Sequence, residues 1–584
     1  MIRLNFIQIL SRSFLAILVV VWPSGTFTAN AAMPPEKAGA AVPFVTIEAE
    51  APSNLVHGKI VTMRSRPAKT DSTPEMEASG RGFVELSAQG DYLEINHVPA
   101  ANTLVVRHCI PDASGGGGLA ATLSLRVNGT FRQSIKLTSK HNWLYGPPGE
   151  NGQSNDPAAG QAHVFWDETR VVLGGGGLKP GDSIRLQKDA QDTAAYYRID
   201  LVDLEFATAA PAPAAGTFLS AADFGAIGTD EQDDTEAFEK GVAAAKAQGK
   251  ILWIPRGTYY QSRKLVLDGV TVRGEGMWLT NIIGTVAGTS FAGNIGFELK
   301  GSGPTVADLF IESAAHTSRS TGGAPFGGRP TGWRVENVWV SHTNTGFWMA
   351  GSEGVVRGCR VRCTYADGIN LNSGASRNIV EHNHVRGTGD DGIALLSETE
   401  RNNPASVGNI VRFNTVSATW WGHNCDLAGG SGHLIEGNLL ADNPRFGTFA
   451  INLPSAYPMH PLSDSIVRNN VILRGGGNYA GQRRGALTVF AGSTTISNVR
   501  FEKNLVSQPV FRGIHFFGSA KQDTVFEGNT IEAPGEDAIF IDAQATGSAM
   551  FRGNKATRVP KGSEQLNRKN ATSFSIVNEA NSWR

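Results

Sequence analysis

Along the second half of the chain, apolar and polar positions recur in one short motif: two β-branched or aromatic residues, one or two polar ones, then Asn. It reads Ile379-Val380-Glu381-His382-Asn383, Ile410-Val411-Arg412-Phe413-Asn414, Leu434-Ile435-Glu436-Gly437-Asn438 and Ile466-Val467-Arg468-Asn469-Asn470. It continues through Phe501-Glu502-Lys503-Asn504, Phe526-Glu527-Gly528-Asn529 and Phe551-Arg552-Gly553-Asn554. The Asn-to-Asn steps are 31, 24, 32, 34, 25 and 25 residues. Short steps fit one winding of a solenoid, and long ones a winding plus a loop. Second strands such as Gly392-Ile393-Ala394-Leu395 and Gly513-Ile514-His515-Phe516 fall between the Asn positions. Asn suits a sharp corner because it tolerates left-handed backbone, and stacked Asn side chains can ladder. A propeller would need four strands in repeats of ~40 residues or more. The expected architecture is therefore a right-handed parallel β-helix.

The first half has a different texture. Alternating runs such as Tyr92-Leu93-Glu94-Ile95, Thr103-Leu104-Val105-Val106 and Leu123-Ser124-Leu125-Arg126-Val127 are broken by Gly, Asn and Pro. That pattern predicts a β-sandwich over residues 44–207. A Pro/Ala-rich stretch at 208–216 reads as an extended linker, with the β-helix domain following over 217–584. Asp223-Phe224-Gly225-Ala226, Asp233-Asp234-Thr235 and an amphipathic stretch to about Ala247 precede Ile254-Pro255-Arg256-Gly257-Thr258-Tyr259. This order resembles the N-terminal cap and first winding of the pectin-lyase-like β-helix proteins. A helix there would cover the core and the unpaired strand edges of the open end. The fold class is all-β, a β-sandwich followed by the parallel β-helix.

Length and charge narrow the partners. A chain of 584 residues exceeds one compact core, so at least two domains are expected. With 52 Lys plus Arg against 53 Asp plus Glu there is no field to steer nucleic acid or an anionic surface. A neutral partner fits better. Arg3 and Arg12, the apolar run Phe14 to Trp22 and the small residues Ala29-Asn30-Ala31 read as a signal peptide over 1–31. The apolar run is less than half the ~20 residues a spanning helix needs. The expectation is a secreted protein, extracellular or periplasmic, without a membrane partner and monomeric. Cys109, Cys359, Cys363 and Cys425 are too scattered for a disulfide framework or a paired zinc motif.

Two acidic motifs stand out within the array: Tyr365-Ala366-Asp367-Gly368-Ile369-Asn370 and Gly389-Asp390-Asp391-Gly392-Ile393-Ala394. Asp367 and Asp390 are 23 residues apart, about one winding. Positions one winding apart lie on adjacent strands, ~4.8 Å along the axis. Three carboxylates then gather on one outer face, where like charges raise one another's pKa values. Glycoside hydrolysis needs such a division: a protonated acid for the leaving oxygen and a carboxylate for water or the anomeric carbon. Asp-Gly alone is a common turn. Two such motifs in winding register, each followed by Ile and a strand, favour the catalytic reading.

These residues resemble the catalytic region of glycoside hydrolase family 87, the α-1,3-glucanases and mycodextranases. More distantly they resemble the family 28 polygalacturonases, which also place one Asp a winding before an Asp-Asp pair. The likeness extends to Glu275-Gly276-Met277-Trp278-Leu279-Thr280, Val338-Trp339-Val340-Ser341-His342-Thr343 and Arg386-Gly387-Thr388-Gly389. In the first domain it covers Trp143-Leu144-Tyr145-Gly146 and Trp166-Asp167-Glu168-Thr169-Arg170. It implies an inverting endo-hydrolase of an α-glucan with 1,3 links, with Asp367, Asp390 and Asp391 sharing the acid and base roles. Inversion predicts acid and base carboxyls ~6.5–9.5 Å apart. The family tends to show Tyr-Gly-Gly followed by an acidic residue, and here the chain reads Asp426-Leu427-Ala428-Gly429-Gly430. Either Asp426 substitutes or a substrate contact is missing. Trp420, Trp421 and His423 fall about one winding further on and could line the groove, as aromatic faces suit sugar C–H surfaces. Asn370 and His342 are further substrate-binding candidates. The alternative for the Trp pair is interior packing, and for the polar residues an outward corner position.

The sandwich's ends, Ile47-Glu48-Ala49-Glu50 and Ile199 to Glu205, resemble the terminal strands of carbohydrate-binding modules of families 6 and 35. The resemblance implies a structural calcium on Glu48, Glu50 and Asp203, since hard carboxylate oxygens suit that ion. Solvated edge carboxylates are the other reading. No cofactor is expected for catalysis. Two functions rival the glucanase. One is a polygalacturonase-like or pectate-lyase-like enzyme on uronic-acid polymers, for which Arg386 is the nearest basic residue. The other is a polysaccharide-binding β-helix whose acids are inert.

Overall fold

Short strands that alternate inward and outward residues close the second half of the chain into stacked windings. The computed structural model describes residues 37–64, 66, 73–147, 154–285, 295–313, 323–479, 481–568 and 570–583. The signal peptide expected over 1–31 lies outside the described residues. The windings build a 26-stranded and an 11-stranded parallel sheet, as the repeat predicts. Seven strands of the 11-stranded sheet matter below: β5 (Phe347–Met349), β6 (Ile369–Leu371), β7 (Ile393–Leu396), β8 (Cys425–Ala428), β9 (Phe449–Leu453), β10 (Gly485–Ala491) and β11 (Arg512–Phe517). Phe347, Ile369, Ile393, Cys425 and Phe449 stack in register inside the coil, all buried. The residue after each faces outward: Trp348, Asn370, Ala394, Asp426 and Ala450. A period of two thus writes one column into the core and the next onto a groove.

The repeated Asn forms a buried ladder. From Asn383 through Asn414, Asn438, Asn470, Asn504 and Asn529 to Asn554, each Nδ2 donates to the next Oδ1 at 2.9 to 3.0 Å. The left-handed corner is one residue earlier, at His382, Phe413, Asn469 and Lys503, with φ from 53° to 55°, or at a Gly. The Asn side chain therefore ties winding to winding, and its neighbour makes the bend. At the open end the helix α1 (Thr235–Gln248) buries Phe238, Val242 and Ala245 against the first winding.

The described residues of 44–205 form a six-stranded and a five-stranded antiparallel sheet around a separate core, with a two-stranded ribbon, Trp143–Gly146 and Gln161–Val164, beside them. The sheet that faces the β-helix contains β1 (Phe44–Glu48), β2 (Thr103–Cys109), β3 (Asp167–Val172) and β4 (Tyr197–Glu205). Its outer face carries charge, and the β-helix answers it. Arg386 bonds Glu168 and Asp203, each at 2.6 Å; Arg362 bonds Glu168 at 3.1 Å; Arg360 bonds Glu205 at 2.7 and 3.0 Å. The Pro/Ala stretch is no free tether, since Ala210 N donates to Glu275 O at 2.8 Å. Among the described residues the two parts form one body. All four cysteines are buried and unpaired.

Candidate active site

The acids are placed by two glycines. Gly368 N donates to Asp391 O at 2.8 Å, and Gly392 N to His423 O at 2.7 Å. A side chain at either glycine would run into the next winding: a Cβ on Gly368 would stand 2.4 Å from Gly392 O, and one on Gly392 2.7 Å from Asn424 O. The Asp-Gly pairs thus serve close stacking, with no turn of their own. The winding step here is 24 residues, because Ile369 registers with Ile393. Asp391, rather than Asp390, is therefore stacked on Asp367, and Asp390 sits one residue earlier, half-buried at the groove.

Asp367, Asp390 and Asp391 bring one oxygen each within 4.8 Å of one another. Asp391 N donates to Asp367 Oδ1 at 2.9 Å, and Asn370 Nδ2 to Asp367 Oδ2 at 2.8 Å. Asn372 Nδ2 in turn donates to Asn370 Oδ1 at 3.0 Å, so Asn370 positions an acid. Asp391 Oδ1 accepts from His423 N at 2.7 Å and lies 3.0 Å from His423 Nδ1. Asp426 lies 3.9 Å from His423 Nδ1 and accepts from Asn452 Nδ2 at 3.3 Å. Among the described residues no Arg or Lys pairs with any of these four acids. Burial first, then the Asp391 charge, pushes the Asp367 carboxyl up to about 7. Burial, then Asp391 and Asp367, holds Asp390 well above the usual carboxylate range, and burial with Asp391 does the same to Asp426. The site therefore keeps carboxylic protons near neutrality. Asp391, His423 and Asp426 also offer three ligand atoms within 4.8 Å, a set able to hold a divalent cation.

The four acids and His423 line a cleft of about 810 Å³, within the range of ligand sites. Trp348, Glu398, Phe446, Asn452 and Tyr457 share its walls and were not found from sequence. Trp348 and Asn452 had a signal: each is the outward residue between two apolar ones in Phe347-Trp348-Met349 and Ile451-Asn452-Leu453.

Three expected sugar contacts lie elsewhere. Trp420 is 2% exposed and packs with Leu144 and Phe165, its ring 4.8 Å from that of Phe165. Trp421 packs against the same cluster. Both belong to the seam with the sandwich, because an outward aromatic can meet a second domain as readily as a sugar. His342 is buried in that seam too. Its Nε2 is 2.6 Å from Asp167, its Nδ1 2.5 Å from Glu312, and it stacks on His141 at 3.8 Å. Nor do Glu48, Glu50 and Asp203 form the expected calcium set. Asp203 accepts from Thr46 and Arg386, each at 2.6 Å. Glu48 accepts from Ser79 at 2.6 Å, and burial raises Glu50 to about 7. Among the described residues, no group of three metal-ligating side chains in close reach includes any of them.

A groove on a parallel β-helix, with a knot of partly protonated aspartates in it, defines a polysaccharide-cleaving β-helix enzyme. Two family models match the chain, the α-1,3-glucanase catalytic domain D1 over residues 41–207 and domain D2 over 234–534. The chain belongs to this α-1,3-glucanase family and is a glycoside hydrolase. The catalytic unit of a thermostable GH87 α-1,3-glucanase from Streptomyces thermodiastaticus strain HF3-3 is 27% identical, with a TM-score of 0.80 over 94% of this chain and 98% of that one. The Agl-KA catalytic domain is 25% identical, with a TM-score of 0.78 over 95% and 100%. A GH87 α-1,3-glucanase catalytic domain in complex with nigerose shares the fold at 24% identity, with a TM-score of 0.80 over 93% and 100%. No curated protein matches.

Proposed function

We propose that this chain is an exported, monomeric endo-hydrolase of α-1,3-glucan in which Asp390 is the proton donor and Asp367 and Asp391 activate the water. The carrying observation is the acid knot without a cationic partner. Asp390 lines the cleft, pairs with no Arg or Lys among the described residues, and is held protonated by burial first and then by the charges of Asp391 and Asp367. It gives its proton to the glycosidic oxygen as that bond breaks. Asp367 accepts from Asn370 Nδ2 and Asp391 N, and Asp391 accepts from His423 N. Once Asp367 is ionised, above about pH 7, the two carboxylates take between them one proton from the water that attacks the anomeric carbon. The spacing of three aspartates replaced singly in one relative, crystallised with nigerose or tetrasaccharides, matches that of Asp367, Asp390 and Asp391 and supports this set. Arg386 is turned to Glu168 and Asp203, which argues against a lyase base there.

Inversion is the outcome that the family resemblance implies. Retention has one observation in its favour: the nearest oxygens stand within 4.8 Å, closer to the ~5–5.5 Å of retaining pairs than to ~6.5–9.5 Å. Proton NMR of the anomer first released decides between them. For the reaction itself, reducing ends are measured on α-1,3-glucan and on polygalacturonate. Wild type is expected to act on the glucan only, and Asp390→Asn to lose about 10²–10⁴-fold in kcat. A wild-type enzyme that releases nothing from the glucan would overturn the proposal.

A further inference from the structure

Past the acids the groove continues along β9, β10 and β11, and its chemistry changes. Asp426, Ala450, Thr488 and His515 are in register, so each strand is one ~4.8 Å step further from the acids. In the neighbouring outward column Asn452, Phe490 and Phe517 are in register, and the two phenyl rings stack at 4.4 Å with 11° between planes. Arg484, just before β10, lies 4.3 Å over the Phe517 ring. Its Nη2 donates to Gln482 Oε1 at 2.6 Å, while its Nε is buried without a protein acceptor. Among the described residues Arg484 makes no ion pair. Arg484, Phe490 and Phe517 open into the same cleft as the acids.

Buried Nε–H groups without a protein acceptor recur at Arg170 and Arg512, each packed on an aromatic ring. Arg484 differs in lining the cleft of the acids, where an arriving acceptor would offset the desolvation of the group. A pyranose offers what is missing: apolar C–H surface for the rings and a rim of oxygen acceptors for the guanidinium. We infer that Phe490, Phe517 and Arg484 form a remote subsite that binds a sugar unit of the same polysaccharide, ~10–14 Å along the axis from Asp426, and makes cleavage depend on chain length. The inference rests on the glucan-hydrolase reading above.

The test measures kcat/KM on α-1,3-linked gluco-oligosaccharides from the shortest one cleaved up to the octasaccharide. The ratio of octasaccharide to shortest substrate is expected to fall about tenfold in Arg484→Ala, the loss of one charge-assisted hydrogen bond. Phe490→Ala is expected to lower the same ratio, and Phe490→Leu to restore part of it. Thermal melts accompany each variant; should Phe490→Ala not fold, Arg484→Ala carries the test. In an Asp390→Asn background, adding Arg484→Ala should raise the octasaccharide Kd about tenfold by calorimetry. An unchanged ratio, or equal loss on shortest and longest substrates, overturns the subsite. Failure of the wild type on every oligosaccharide would instead overturn the glucan-hydrolase reading.

Discussion

The cleft and the seam between sandwich and β-helix hold the same kind of residue in opposite states, with Asp367 in the one as buried as Asp167 and Glu168 in the other. In the seam, burial alone would push Asp167 and Glu168 up. Contact with His342 overrides it for Asp167, which falls well below its usual range; Arg386 and Arg362 override it for Glu168, which falls to about 2. In the cleft Asp367 and Asp390 meet burial and like charge and no cation, and both go up. Depth does not set the protonation state of these carboxyls; the partner does. The seam is thereby an electrostatic clamp, and the cleft is a store of protons.

The largest expected effect comes from taking titration out of the cleft. Asp367→Asn should lower kcat by about 10²–10⁴-fold while the far-ultraviolet dichroism stays that of wild type. Parallel loss of fold and activity would remove the distinction between the two regions. The seam should answer the other way. Arg386→Ala leaves Glu168 and Asp203 short of a buried partner and is expected to cost about 3–5 kcal/mol in urea unfolding. The folded fraction should keep its kcat within a few-fold, because Arg386 does not line the cleft.

The smallest effect sharpens the comparison by the sign of a pH slope. Between about pH 4, where an unfolded-chain aspartate titrates, and about pH 7, native Asp367 keeps a proton that the unfolded chain has lost. Stability therefore falls as pH rises through that window, by up to about 1.4 kcal/mol per unit from this group, and levels off above it. Asp367→Asn should flatten that slope in melts at pH 5, 6 and 7. Glu168 contributes the opposite slope: its stabilisation is complete above the unfolded pKa and is lost as pH falls toward about 2. A Glu168→Gln variant should lose its deficit relative to wild type on acidification. A variant pair with slopes of the same sign would refute the contrast.

Much of this could be read along the chain, and the misses share one cause. Periodicity is local: two apolar residues, a corner and an Asn repeat because each winding must bury one face and tie itself to the next, so the coil, its capping helix and the Asp367, Asp390 and Asp391 knot were all legible. Subtraction placed Asp390 over Asp367, whereas the strand pairing chose a step of 24 and put Asp391 there. Trp420, Trp421 and His342 were legible as candidates for the outer face, but alternation has only two values, in and out. Whether an outward side chain meets water, a sugar or a second domain depends on which flank of the coil the sandwich covers, and that follows from charges far apart in sequence meeting across the seam. Tertiary structure alone decided it, turning Trp420 and His342 into packing and leaving Trp348, Asn452 and Asp426 to the groove.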